Sequence, residues 1–113
     1  MKIKQFEIWI ADLNPRIGTE AGKIRPVLVV QTDLLNGEHP STIICPITTV
    51  VQPETELLRV HLKKGMAKIK EDCDIMIDQL RAIDNKRLLK KTGTISGVQA
   101  EKVRQNLKII FDL

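Results

Sequence analysis

The chain has no tyrosine, one tryptophan and two phenylalanines, so aromatic residues make up only 3% of it. A module that reads modified tails in an aromatic cage, or binds single strands on a row of stacking rings, needs more than that. An SH3-like peptide-binding groove is disfavoured on the same ground. Cysteine is scarce too. Cys45 and Cys73 stand far apart with no C-x-x-C spacing, which argues against a zinc site and against a disulfide framework. No His, Cys or carboxylate cluster has metal-ligand spacing, so neither metal nor cofactor is expected. The apolar stretch after Lys2 and Lys4 is broken by Glu7 and Asp12. Neither a signal peptide nor a membrane span is read there, and the cytoplasm is the expected compartment.

What is present is 113 residues, 42% of them apolar, which suffices for one hydrophobic core and a single domain over 1–113. The net charge of +4 is unevenly spread. Residues 1–80 hold 10 basic and 11 acidic side chains, whereas residues 81–113 hold 8 basic and 3 acidic ones. A basic end of this kind is either a solvated helix surface or a face that attracts phosphate.

Apolar periodicity outlines the elements. Phe6 to Leu13 alternates, with Phe6, Ile8 and Ile10 on one face and Glu7, Trp9 and Ala11 on the other, as a strand does. Asn14-Pro15 ends it, and Arg16 to Ile24, with Gly18 and Gly22, reads as a long mobile loop of the kind that is often functional. Val27 to Val30 is a β-branched and aliphatic run, expected to be a strand buried on both faces. Leu34 to Pro40 is a loop or short helical turn. Thr42 to Val51 is strand-like, with Pro46 pointing to an edge or a bulge. Leu57 to Leu62 and Asp74 to Leu80 are further strand candidates, with Gly65 marking the turn between them. Ser96-Gly97-Val98-Gln99 matches a capping box, and Val103, Leu107 and Ile110 follow at helical spacing, which predicts a helix over 97–110. The fold class is α+β: a small twisted antiparallel sheet or half-barrel with a C-terminal helix.

Three segments, in this order and spacing, resemble the MazF/PemK toxin family. The first is Trp9-Ile10-Ala11-Asp12-Leu13-Asn14-Pro15 with Gly18-Thr19-Glu20, Gly22 and Lys23-Ile24-Arg25-Pro26-Val27. The second is Pro46-Ile47-Thr48-Thr49, and the third is Asp78-Gln79-Leu80-Arg81-Ala82-Ile83-Asp84 with Lys86-Arg87-Leu88. The resemblance covers nearly the whole chain. It implies a partly open SH3-like β-barrel with a C-terminal helix, as in the CcdB/Kid/MazF-like toxins, assembled as a homodimer. It also implies sequence-specific cleavage of single-stranded RNA such as mRNA, without a metal, and neutralisation by a cognate MazE-like antitoxin with an acidic disordered tail.

The same resemblance singles out residues whose chemistry suits that reaction. Arg25 opens a buried strand directly after the glycine-bearing loop, and a guanidinium can clamp two phosphate oxygens as negative charge builds on them. A surface arginine capping a strand end is the ordinary alternative. Thr48 can donate a hydroxyl proton to a phosphate oxygen, while Thr49 must point to the opposite face of the strand. Asp78 is a candidate general base for the 2′-hydroxyl, an ion pair with Arg81 or Lys86 being the alternative. Family members vary between Asp and Glu there, and some carry an Arg two residues earlier, where this chain has Met76. Thr19, Glu20, Lys23, Gln79 and Arg81 are candidate substrate contacts, since Gln and Glu can read base edges exposed in single strands. His39 and His61 are read as bystanders, because a histidine acid–base pair needs both rings in one cleft.

A second function class shares this fold: the gyrase-binding poisons related to CcdB, which rely on a C-terminal Trp-Gly-Ile. Here the chain ends Phe111-Asp112-Leu113.

Overall fold

The structure is a computed structural model and describes residues 2–113. Seven strands lead into one helix: β1 (Glu7–Asp12), β2 (Ile24–Val29), β3 (Ser41–Thr48), β4 (Arg59–Leu62), β5 (Cys73–Met76), β6 (Arg81–Asp84), β7 (Leu88–Thr94) and α1 (Gly97–Phe111). Short 3₁₀ turns at Met66–Lys68, Ile77–Gln79 and Asn85–Arg87 join the later strands. The strands form one antiparallel sheet in the order β4-β5-β3-β2-β1-β7, with β6 also paired to β3. It curls without closing into a barrel.

Strict alternation sends side chains to two apolar clusters. Ile8 and Leu28 join Cys45, Ile47 and Ile75 in the first, where Ala100 and Val103 of α1 also pack. Trp9, Ala11, Val27 and Val29 turn the other way and meet Ile44, Ile83 and Leu88. The Val27–Val30 run is therefore covered on both sides, as its unbroken apolar character predicts. Strand β2 begins earlier than expected, because Ile24 and Arg25 pair with Asp12 and Ala11 although neither is buried.

Pro46 lies inside β3 rather than at a bulge. It is opposite Val27 on one side, and on the other it falls between Ile44, which pairs with β6, and Ile47, which pairs with β5. The missing N–H sits where one partner strand has ended and the next has not begun. Asp74 to Leu80 is not one strand: β5 stops at Met76 and the chain turns through Ile77–Gln79 before β6.

At the helix start, Ser96 Oγ accepts the Gln99 N–H at 3.3 Å, as a cap should. The reciprocal half of the box is absent. Gln99 Nε2 instead donates to the carbonyl of His61 at 3.3 Å, which ties α1 to β4. Leu107 and Ile110 extend the buried stripe of α1, and Asp112 in the left-handed region ends the helix with its N–H on Ile109 O. Among the described residues no helix is long and apolar enough to cross a membrane.

Candidate functional site

The loop from β1 to β2, expected to be mobile, is tied down at its neck. Leu13 N–H donates to Lys23 O and Lys23 N–H to Asn14 Oδ1, both at 2.9 Å. Arg87, in the turn ahead of β7, donates from Nη1 to the carbonyls of Asp12 and Asn14. Further along the loop, the Ala21 N–H donates to Gln79 Oε1 at 3.3 Å, so the 3₁₀ turn after β5 and the loop hold each other.

Between them opens a cleft of about 440 Å³, and six of the residues singled out in the sequence line it: Thr19, Glu20, Lys23, Arg25, Thr48 and Gln79. The pairing register explains the central two. The β2–β3 ladder ends with Val27 opposite Pro46; beyond that end the strands carry Arg25 and Thr48, two residues on in each, to the lining of one cleft. Arg25 is held by its Nε, which donates to Gly22 O at 2.9 Å, and by Nη1, directed at Ile47 O at 3.5 Å. A guanidinium has five N–H bonds, so the remaining ones stay available to a ligand. Burial first, and then the charge of Arg16, push the Arg25 guanidinium below its ordinary value. Among the described residues no carboxylate is paired with Arg25 or Arg16.

Thr48 Oγ1 accepts the Val50 N–H at 3.1 Å. That bond occupies a lone pair and leaves the hydroxyl proton free to donate elsewhere. Thr49 lines a separate groove with Pro26 and Ile47, on the other side of the sheet, as pleating requires.

Asp78 and Arg81 are not brought into this cleft. Asp78 is exposed on the Ile77–Gln79 turn, where the change from strand to 3₁₀ geometry points it away while its neighbour Gln79 points in. Its charge is felt at Cys45, whose thiol is pushed up to about 12 by burial and then by Asp78. Asp78 is not ion-paired with Arg81 or Lys86 either, and Arg81 lies half-buried in β6 opposite Ile44. The carboxylate that does share the cleft with Arg25 is Glu20.

The two histidines are apart, and neither lines the cleft: His39 is in the β2–β3 loop and His61 is on β4. His61 is nevertheless not idle. Its Nδ1 is 2.6 Å from Asp74 Oδ1 and its Nε2 is 2.9 Å from Thr55 O. Asp74 is fully buried and also accepts from Arg59 Nη1 at 3.2 Å and from the Gln52 N–H at 2.9 Å. Burial raises its carboxyl, but the hydrogen bonds from Gln52, His61 and Arg59, with the charge on His61, outweigh that and hold it below its ordinary value. This network fixes the segment that follows Thr48. Nothing in the sequence marked Asp74, because the residues around it come from three separate stretches.

Arg16 and Asn14 also line the cleft without having been singled out. Their one signal was position, in the glycine-bearing loop beside Pro15. Met76 lines it too, on the strand that ends where the Gln79 turn begins.

The sequence profile of the family described as PemK-like, MazF-like toxin of type II toxin-antitoxin system matches residues 4–111. The chain is similar to Endoribonuclease EndoA of Bacillus subtilis (strain 168), at 33% identity over 100% of this chain and 97% of that protein. Among solved structures, MazF (Form-I) from Deinococcus radiodurans shares the fold with a TM-score of 0.84 at 19% identity, covering 100% of this chain and 99% of that one. A MazE-MazF complex (Form-II) from the same organism matches with a TM-score of 0.80 at 19% identity, over 100% of this chain and 98% of that one. The match along almost the whole length, together with the antiparallel sheet and single terminal helix, establishes that the chain belongs to the PemK-like, MazF-like toxin family of type II toxin–antitoxin systems.

Proposed function

We propose that this protein is an endoribonuclease toxin that cuts single-stranded RNA without a metal and is neutralised by a cognate antitoxin. The observation that carries the reading is the pair in the cleft: a guanidinium held on two backbone carbonyls shares it with a threonine whose hydroxyl proton is uncommitted. Such a pair suits a phosphodiester on which charge is building. The 2′-oxygen attacks phosphorus, a new P–O bond forms and the bond to the 5′-oxygen breaks. Arg25 and Thr48 stabilise the extra charge on the non-bridging oxygens, because their donors are in place beforehand. Glu20, the carboxylate in the cleft, takes the 2′-hydroxyl proton in preference to Asp78, and the departing 5′-oxygen is protonated from solvent. Thr19, Lys23 and Gln79 line the path of the strand; Gln79 Oε1 is engaged by Ala21, which leaves its amide N–H₂ as the group that reads a base edge.

The partner reading follows the family: a MazE-like antitoxin with an acidic tail, which the net charge of +4 would attract, and a homodimer as the working unit. The gyrase-poison alternative has less support, since the family match is to PemK-like toxins.

The products test the mechanism. Incubation of single-stranded RNA with the protein in excess EDTA should yield 2′,3′-cyclic phosphate and 5′-hydroxyl ends, and the same sequence buried in a hairpin stem should survive. Cleavage lost in EDTA and restored by Mg²⁺, or equal cutting of stem and single strand, would refute it.

A further inference from the structure

Arg16 follows Pro15 at the start of the β1–β2 loop and is exposed, yet its stem is fixed. A Cβ placed on Gly22 would fall 2.5 Å from Arg16 Cβ and 3.1 Å from its Cα, closer than side chains approach one another. The loop thus folds across Gly22 only because that residue has no side chain. The carbonyl of the same Gly22 accepts the Nε of Arg25. One glycine therefore holds two arginines against the same cleft, and the charge of Arg16 is felt at Arg25.

Two guanidiniums that share a cleft without a paired carboxylate repel each other, and an anion between or beside them relieves the repulsion. Their anchorage differs. Arg25 is tied through its head to the carbonyls of Gly22 and Ile47 and shares the cleft with Thr48. Arg16 is fixed only at its stem, so its head can follow a ligand. We infer that Arg16 is a second phosphate-binding group, which grips the RNA backbone at a phosphate next to the one cut, while Arg25 acts on the cut phosphate itself. The inference rests on the endoribonuclease reading and adds a division of labour to it: Arg16 serves strand binding and Arg25 serves the transition state.

The test uses a single-stranded RNA that the wild-type protein cuts, with kcat and KM measured over a range of salt. Arg16→Ala keeps the Cβ that lies against Gly22, so the loop should hold. It should raise KM about tenfold, as for loss of one hydrogen bond to a charged group, with a smaller effect on kcat. The slope of log affinity against log salt should fall by about 0.7, the change for one phosphate contact on a single strand. The loss should be similar for RNAs of different sequence, because a phosphate contact carries no sequence information. Arg16→Lys should restore most of both, since a point charge serves for binding. If wild type cuts RNA but Arg16→Ala keeps its KM and salt slope, or loses kcat alone, the role given to Arg16 is wrong while the endoribonuclease reading stands. If wild type neither cuts nor binds RNA, the reading falls and Arg16 with it.

Discussion

Arg25 owes its position to two carbonyls and its chemistry to the charge they do not neutralise. Gly22 O and Ile47 O are dipoles, so they orient the guanidinium without cancelling it as a carboxylate would. Thr48 shows the same economy, with its acceptor side used by Val50 and its proton left over. Thr48→Ser keeps that hydroxyl and should keep most of the single-turnover cleavage rate. Thr48→Val keeps shape and β-branching but should lose about 10²-fold, the scale for one donor aimed at developing charge. Equal rates for the Ser and Val variants would remove the hydroxyl from the mechanism. Neither role was visible in composition or periodicity. Position in a family-like motif suggested Arg25 and Thr48, and the end of the β2–β3 ladder brings both to one cleft. Asp78, a candidate on the same motif, is carried by a 3₁₀ turn rather than a strand and does not line the cleft.

Strands β1 to β5 were legible to within a few residues because each buries at least one regular face. Strands β6 and β7 were not. Strand β7, Leu88–Thr94, has only Leu88 and Gly93 buried and carries Lys90 and Lys91, the composition of a sheet edge protected by charge. Gly93 is there because Ala67 O lies 2.3 Å from where a Cβ would be, a demand set by the Met66–Lys68 turn far away in sequence. The buried polar contacts were equally hidden. Glu7, placed by alternation beside Trp9, is buried with it: Lys91 Nζ at 2.7 Å, Trp9 Nε1 at 3.1 Å and the Lys4 N–H at 2.8 Å satisfy its carboxylate. In the Asp74 network, His61 Nδ1 meets the carboxylate and Nε2 meets Thr55 O, so both ring nitrogens have partners. Asp74→Asn leaves Arg59 without its counter-charge and His61 without its carboxylate partner, and should cost about 3–5 kcal/mol, read as a lower midpoint in urea. Asp74 and Glu7 are both held below their ordinary values of 3.8 and 4.5. Their contribution is thus complete above those values and is lost as pH falls through the lower folded-state ones. The melting temperature should drop on acidification below pH 4, and less steeply in Asp74→Asn. An equal drop in both proteins would deny Asp74 this role.

For the molecule as a whole, the uneven charge of the sequence divides between structure and open surface. Three of the eight cations at residues 81–113 are taken up by structure. Arg87 pins the β1–β2 loop, Lys91 pairs with Glu7, and Arg104 stacks over Phe6 at 4.7 Å while lying near Glu101. The cations of the cleft, Arg16, Lys23 and Arg25, come from the half with net negative charge. The proposed homodimer is a property at this scale too: light scattering at micromolar concentration should give twice the mass of the chain, and a monomer would contradict it.

The central claim is that a folded cleft built around Arg25 cuts RNA, and one comparison tests it most directly. Single-turnover cleavage of single-stranded RNA in EDTA should be measured for wild type and Arg25→Ala, with melting temperatures recorded beside the rates. Truncation removes contacts to two carbonyls, one of them long, and should cost about 1 kcal/mol of stability. Removal of a preorganised donor should lower the rate by about 10²–10³-fold, and Arg25→Lys should recover only part of it, because an ammonium cannot form the two-pronged contact. The account predicts a folded, nearly inactive Arg25→Ala protein. A folded Arg25→Ala protein that cuts at the wild-type rate would contradict it.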